Sequence, residues 1–240
     1  VTLKSDVPVK EELSSFILKD VNKETLYNFL RDMEFNRLLS QAISFYGESS
    51  EKIKKQKEIK NEISKVDTKI YKSILNETDL EKLITRLNEK SILSVDCETT
   101  SLSPIDAEIV GVSFCSGIND AYYIPIAHKG IKSLSRDFVI KKIKSILEDK
   151  SIKKIGQNIK YDLMIFKKYG VNIDPIEDTM LLSYTLDAGN NRHNMNTLSE
   201  IHLSHKTISY KDVVGSGKKQ LNFPEVGLQA ATKYAAEDAD

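Results

Sequence analysis

The sequence predicts an α/β fold, a mixed sheet flanked by helices and preceded by a small helical segment, on three observations. Three β-rich runs follow one another closely, "ILSVD" after Ser91, then "EIVGVSFC" and "AYYIPIA". The turn residues Gly117-Ile118-Asn119-Asp120 separate the last two, so an antiparallel meander is expected. Beyond the meander, helical and strand patterns alternate, which adds further strands to the sheet and places helices on its faces. A charged run from Glu48 to Lys69 separates this region from an N-terminal helical pattern.

In that N-terminal pattern, Leu26, Phe29, Leu30 and Met33 recur at helical spacing after a capping Asn22, and a second helix is expected from Asn36. The result is a helical hairpin with an apolar face, too small to fold alone. The charged run has few large apolar residues and is expected to be a linker. Next come a helix with Leu80, Leu83, Ile84 and Leu87 on one face, the meander, and a helix around Phe138 to Leu147. A short strand "KKIGQ", a helix from Ile159 to Tyr169 and the run "VNIDPI" follow. Helices near Asp178 to Leu186, Thr197 to Ile201 and Glu225 to Asp240 complete the pattern, with no internal repeat. The expected domain limits are therefore 1–47 for the helical segment, 48–69 for the linker and 70–240 for the α/β domain.

Composition narrows the class. The 240 residues, 40% hydrophobic and 29% charged, suit a soluble globular chain with a substantial core. No apolar run approaches the roughly 20 residues of a membrane helix, and no signal peptide is evident, so a cytoplasmic protein is expected. Cys97 and Cys115 both fall inside expected strands and are predicted to be buried free thiols. Lys+Arg and Asp+Glu balance at 35 each, so a polyanion must be held locally rather than by net charge.

Candidate chemistry starts at "SILSVDCETTSLSP", where Asp96 and Glu98 share one face at the carboxyl end of a strand, the end at which open α/β sheets bind ligands. Like charges held together call for a cation or a shared proton. The similar pair Asp106 and Glu108 precedes its apolar run and suits ordinary turn acids. In "KKIGQNIKYDLMIF" a strand runs into a helix through Gly156, with Asn158 and Asp162 one turn apart; a helix cap and a first-turn acid explain the same residues. In "GLQAATKYAAEDAD", Tyr234 and Asp238 are four apart on one helix face, Ala231 and Ala235 permit close approach to a sheet, and Glu237 and Asp240 point elsewhere.

The ordered set D-x-E, N-x-x-Y-D and Y-x-x-x-D resembles the three motifs of 3′–5′ exonucleases with four acidic residues, in the subclass with Tyr in the third motif. "DCETTSLSP", "YYIPIAH", "GQNIKYDLMIF", "DTMLLSYTL", "RHNMNTLSE", "HKTISYKDVVGSGKKQLNF" and "YAAEDAD" are similar to the proofreading domain of the bacterial-type DNA polymerase I family, from about Ile70 onward. The segment "DVPVKEELSSFILKDVNKETLYNFLRDMEFNRLLSQ" resembles the end of that family's preceding 5′-nuclease domain. The chain is thus expected to be a fragment of such a polymerase.

That resemblance implies an RNase H-like sheet and a catalytic set of Asp96, Glu98, Asp162, Tyr234 and Asp238. Two Mg²⁺ or Mn²⁺ ions are implied, one held by Asp96, Glu98 and Asp238 and the other by Asp96 and Asp162, with Tyr234 orienting the attacking water. Leu102, Gln157, Asn158, Tyr161, Arg192 and Tyr210 match the family's DNA-contacting positions. Implied partners are single-stranded DNA 3′ ends and the polymerase domain of the same parent chain, with no membrane partner and a monomeric state. A related RNA-trimming exonuclease and a catalytically silent scaffold or DNA-binding module are the alternatives; the N-terminal segment argues against the first and retention of the four acids against the second. His202 and His205 lack further ligands at metal spacing, and "GSGKKQ" lacks the spacing of a nucleotide-binding loop. Asp238 falls in the last helical turn, where fraying and the helix dipole are expected to weaken its hold on a metal.

Overall fold

The computed structural model describes residues 6, 8, 12–17, 20–47, 70–189, 191–217 and 220–240. It divides the chain into two units, Val1–Ile63 and Ser64–Asp240. The expected linker 48–69 lies outside the described residues.

In the first unit, helix α1 (Lys23–Asp32) starts where the Asn22 side chain accepts the Thr25 N–H at 3.1 Å, and α2 (Asn36–Tyr46) follows. The inward stripe differs from the expected one. Tyr27 and Leu30 are buried, whereas Phe29 and Met33 are about half exposed. Two helices bury only one narrow stripe, and Tyr27 takes it because its hydroxyl can donate to the Gly47 carbonyl at 2.6 Å.

The second unit is built on a six-stranded sheet of order β1-β4-β3-β2-β5-β6. Its strands are β1 (Lys72–Ser73), β2 (Ile92–Thr99), β3 (Ile109–Cys115), β4 (Ala121–Pro125), β5 (Lys153–Gly156) and β6 (Ile176–Asp178). β2, β3 and β4 form the expected antiparallel meander, while β1, β5 and β6 join in parallel. The sheet is therefore mixed, as the alternation of patterns predicts. The very short β1 and the strand at Ile176–Asp178, which starts at the last residue of "VNIDPI", are edge additions that periodicity over two or three residues does not reveal.

One face of the sheet packs on α3 (Glu77–Asn88), α4 (Arg136–Leu147) and α5 (Lys160–Lys168). Leu93, Val95 and Cys97 of β2 point into this core together with Val112, Phe114, Leu80, Leu83, Ile143 and Phe166. Alternation then turns Ser94, Asp96 and Glu98 to the opposite face. That face is covered by α9 (Leu228–Ala239), whose Ala231 and Ala235 are fully buried near Tyr123, with Val214, Phe223 and Val226. Small side chains at those positions let α9 approach the strands closely, which brings its last turns over the end of β2.

Between β6 and α9 run α6 (Thr179–Asp187), α7 (Met195–Leu198) with a π-turn over Ser199–Leu203, α8 (Tyr210–Val214) and a 3₁₀ turn at Phe223–Glu225. The helix expected from Glu225 starts three residues later, because a reciprocal cap between Asn222 and Glu225 closes a separate turn first. Helix α8 is an element that the sequence pattern did not reveal; at five residues it is too short for a periodic signal. Cys97 and Cys115 are buried free thiols. Among the described residues no helix is long and apolar enough to cross a membrane.

Candidate active site

Strand alternation and the β2–β3 register place Asp96 opposite Ser113 and Glu98 opposite Gly111. Helix α9 brings Asp238 over them, and one carboxylate oxygen from each of Asp96, Glu98 and Asp238 lies within 4.8 Å of the others. Asp162, in the first turn of α5, stands outside that trio of oxygens and is only 3% exposed. Its Oδ1 accepts the backbone N–H of Cys97 at 3.0 Å, which holds it beside the acidic strand end.

Removal from water dominates the electrostatics of all four acids, and mutual repulsion adds to it. Asp96 is pushed up to about 6 by desolvation, against the opposing Cys97 backbone hydrogen bond. Desolvation and the Asp96 charge push Asp162 up to about 8. Glu98 is driven well above the carboxylate range by desolvation, then by Asp96, Asp238 and Asp162; Asp238 is raised by desolvation and by Asp96. Unaided, this cluster retains protons at neutral pH. A hard divalent cation is the complement that lets all four ionise, and an all-oxygen donor set suits Mg²⁺ or Mn²⁺.

Tyr234 donates a hydrogen bond to Asp238 one turn later, and desolvation followed by that negative charge raises its hydroxyl far above the usual tyrosine range. The phenol stays protonated. Its ring meets Tyr210 edge-on at 6.1 Å and Phe223 at 6.0 Å, while Tyr210 stacks on Phe223 with 13° between planes. The acids on either side of Asp238 face away from the trio. Glu237 accepts from Ile208 N–H at 2.6 Å and bonds His205 Nε2 at 2.9 Å, whereas Asp240 accepts from the Tyr71 hydroxyl and the Asn119 N–H.

The six candidate DNA-contacting residues are placed differently from one another. Leu102 is 96% exposed, and Asn158, Arg192 and Tyr210 also reach solvent. Asn158 has φ 54°, a left-handed conformation that asparagine tolerates, and no side-chain cap is made at the start of α5. The amide of Gln157 is engaged at both ends, by the His193 carbonyl at 2.7 Å and the Thr179 hydroxyl at 2.6 Å. Tyr161 spends its hydroxyl on Thr99 and the Ser101 carbonyl. Glu108 is more than a turn acid: it accepts from Arg136 and from the Tyr169 hydroxyl, both at 2.6 Å, and ties the 100–108 loop to α4 and α5. His202 is exposed and His205 is taken by Glu237. In the loop Gly215–Gln220, Lys218 and Lys219 lie outside the described residues.

Sequence reasoning passed over Tyr123 and Gly111. Tyr123 is fully buried, and desolvation followed by the Glu98 and Asp96 charges raises the pKa of its hydroxyl, which stays protonated. Its register partner Ser113 is also the partner of Asp96, so counting two strands across from the acid finds it.

Comparison with known proteins shows the family and the fold. A family model described as 3′-5′ exonuclease matches residues 71–240. DNA polymerase I of Pseudomonas aeruginosa is 34% identical over 245 residues, covering 100% of this chain and 26% of that protein. DNA polymerase I of Rhizobium leguminosarum is 40% identical over 195 residues, covering 72% of this chain and 19% of that one. The chain thus spans about a quarter or less of the length of these relatives. Among solved structures, Brucella melitensis NrnC with bound Mg²⁺ aligns with a TM-score of 0.50 at 24% identity, over 70% of this chain and 73% of that one. Escherichia coli RNase D, an exoribonuclease, aligns with a TM-score of 0.51 at 16% identity, over 70% of this chain and 41% of that one. These two likenesses concern the fold, which is that of RNase H-like exonucleases. With the match spanning the whole sheet, the four acids and the helix that carries Asp238, this chain belongs to the 3′-5′ exonuclease family.

Proposed function

We propose that the chain hydrolyses the 3′-terminal phosphodiester of single-stranded or mismatched DNA, using divalent cations held by Asp96, Glu98, Asp162 and Asp238. The observation that carries this is the convergence of Asp96, Glu98 and Asp238 oxygens within 4.8 Å, in surroundings that raise every carboxyl of the cluster. When bound, Mg²⁺ or Mn²⁺ supplies an activated water and stabilises the leaving oxygen. Asp96, Glu98 and Asp238 would hold one ion, and Asp162 with Asp96 would hold a second. Tyr234, protonated and bonded to Asp238, keeps oxygen lone pairs free to hold the attacking water in line. None of these carboxylates needs to become a nucleophile.

Binding of an unpaired strand irrespective of sequence needs apolar and stacking contacts plus local contacts to phosphate. Leu102 and Tyr210 offer exposed apolar and aromatic surface, Arg192 a cation and Asn158 an amide. Gln157 and Tyr161, fixed by their internal hydrogen bonds, line the path with an amide plane and a ring. Unpaired ends are favoured because a matched terminus must first be unstacked and unpaired. In this proposal 70–240 is the nuclease domain, 48–69 a linker and 1–47 the end of a preceding domain, within a chain that also carries a polymerase, as the lengths of the relatives support.

The test uses 5′-end-labelled substrates: single-stranded DNA, a mismatched and a matched duplex, and RNA, each with Mg²⁺, Mn²⁺ or chelator. A ladder shortening from the 3′ end, dependent on metal and slowest on the matched duplex, is expected. Equal rates on all DNA substrates, or cleavage in chelator, overturn the proposal. Preference for RNA replaces it with the RNA-trimming alternative.

A further inference from the structure

Behind the acid trio lies a buried polar pair that the proposed chemistry leaves without a task. Tyr123 and His128 are 0% and 6% exposed, and the Tyr123 hydroxyl meets His128 Nε2 at 2.8 Å. The other ring nitrogen, Nδ1, lies 3.2 Å from the Val226 carbonyl oxygen. A carbonyl only accepts, so Nδ1 carries the proton; Nε2 of the neutral ring then accepts from Tyr123. The chain of donors runs in one direction, Tyr123 to His128 to Val226.

Each end of this chain touches the framework of the site. Val226 closes the 3₁₀ turn immediately before Gly227, the N-cap of α9, and α9 carries Tyr234 and Asp238. The Tyr123 ring lies across Gly111, the register partner of Glu98. A Cβ at Gly111 would sit 2.1 Å from the Tyr123 hydroxyl oxygen and 2.3 Å from Cζ, so the ring fills the space beside Glu98 that any other residue would occupy. The His128 ring also stands edge-on to Tyr123 and 5.7 Å from Phe223, which packs on Tyr234. Neighbouring backbone runs parallel to this link, since Lys129 N–H donates to the Pro224 carbonyl at 2.7 Å.

We propose that Tyr123 and His128 are positioning residues, which set the entry of α9 against the sheet and thereby hold Asp238 at metal-binding distance from Asp96 and Glu98. This rests on the metal-dependent reading of the four acids. The bonds of Glu237 and Asp240 act at the far end of α9; at its start, the directional chain through His128 supplies a defined geometry that apolar contact of Ala231 and Ala235 does not.

Manganese titration of the protein without DNA, with free Mn²⁺ read by electron paramagnetic resonance, tests this. Tyr123→Phe keeps the ring but removes the donor; His128→Gln keeps an acceptor for Tyr123 but loses the link to Val226. Both variants are expected to raise the Mn²⁺ concentration for half-saturation about 5- to 20-fold, and saturating Mn²⁺ is expected to restore most of the cleavage rate. A purely structural role would lower the melting temperature of both and leave the titration midpoint unchanged, which overturns the proposal. The Asp238→Asn variant separates the two levels of inference. If wild type binds no Mn²⁺, or binds as Asp238→Asn does, the metal-dependent reading fails and the positioning role with it. If wild type binds and only Asp238→Asn is weakened, the positioning role alone fails. Should either variant unfold, ¹⁵N signals of His128 in wild type decide, with the neutral Nδ1–H form required.

Discussion

The Asp162 carboxylate accepts the backbone N–H of Cys97, the residue between Asp96 and Glu98, at 3.0 Å. One hydrogen bond thus fastens α5 to the strand that carries two of the other acids. It also places a carboxylate where burial, and then repulsion from Asp96, raises its pKa to about 8. Structure and chemistry pull in opposite directions here, as is common at functional sites.

Asp162→Asn separates the two effects, because the amide oxygen can keep the Cys97 hydrogen bond while the charge is lost. Cleavage is expected to fall at least 100-fold, with the metal-free protein melting higher than wild type. Asp162→Ala should lose cleavage equally and, with the Cys97 N–H left unpaired, be less stable than the Asn variant by about 1–3 kcal/mol. Thermal melts and end-label assays on both variants check this; near-normal cleavage by a folded variant removes Asp162 from the machinery.

Stability should also depend on pH in a direction fixed by the cluster. Unfolded aspartate loses its proton near ~3.9, whereas in the folded chain Asp96 holds it to about 6 and Asp162 to about 8. Between those limits the native state binds more protons than the unfolded state, so stability falls as pH rises. The metal-free protein is expected to lose melting temperature progressively from pH 5 to pH 8. Adding 10 mM Mg²⁺ should recover most of the loss at pH 8 and little at pH 5. A melting temperature that rises over this interval without metal contradicts the assigned shifts.

Much of the sheet was legible because its signals are local. Alternation fixed which face Asp96 and Glu98 share, and the Gly117–Asp120 turn fixed the meander. Ala231 and Ala235 marked the side of α9 that lies on the sheet. Less legible was anything set by tertiary hydrogen bonding. Phe29 and Met33 obey helical periodicity yet stay exposed, since Tyr27 satisfied its hydroxyl inside the hairpin. Gln157 and Tyr161 look like free polar side chains in a motif, but Thr179, His193, Thr99 and Ser101 occupy them from distant positions. Tyr123 and His128 sit in an ordinary strand and turn, and only the close approach over Gly111 shows what they abut.

Lys154 provides a test away from the acids. Fully buried, its Nζ donates to the carbonyls of Asp149 and Ile152 at 2.7 Å and of Asp174 at 2.6 Å, joining the turn before β5 to the segment before β6. Lys154→Met keeps the stem but leaves these acceptors unpaired, at a cost of about 3 kcal/mol or more. Chemical denaturation should show that loss, while cleavage per folded molecule stays close to wild type. A stability loss below ~1 kcal/mol would mean that water replaces the ammonium without penalty.

The last turn of α9 holds more firmly than its position suggests. Fraying and an adverse helix dipole are the ordinary fate of Asp238 and Asp240 there. Instead, the Asp240 carboxylate accepts from the Tyr71 hydroxyl at 2.6 Å, the Asn119 N–H at 2.8 Å and the Cys115 thiol at 3.4 Å. Burial and the Asp240 charge hold the Tyr71 phenol protonated, so the donor is permanent over the physiological range. On the other side of Asp238, Glu237 is fastened to His205 and Ile208. Tyr71→Phe removes one donor without changing charge or volume much, and Asp240→Ala removes the acceptor of all three. Amide hydrogen exchange over Glu237 to Asp240 is therefore expected to accelerate about 10-fold in the first variant and more in the second. The Mg²⁺ concentration for half-maximal cleavage should rise in the same order, because an Asp238 that frays must be ordered by the metal it binds. Faster exchange with an unchanged metal requirement would show that the side-chain bonds of Asp240 hold only the last turn of the helix, and that the contacts of Ala235 and Tyr234 suffice to hold Asp238.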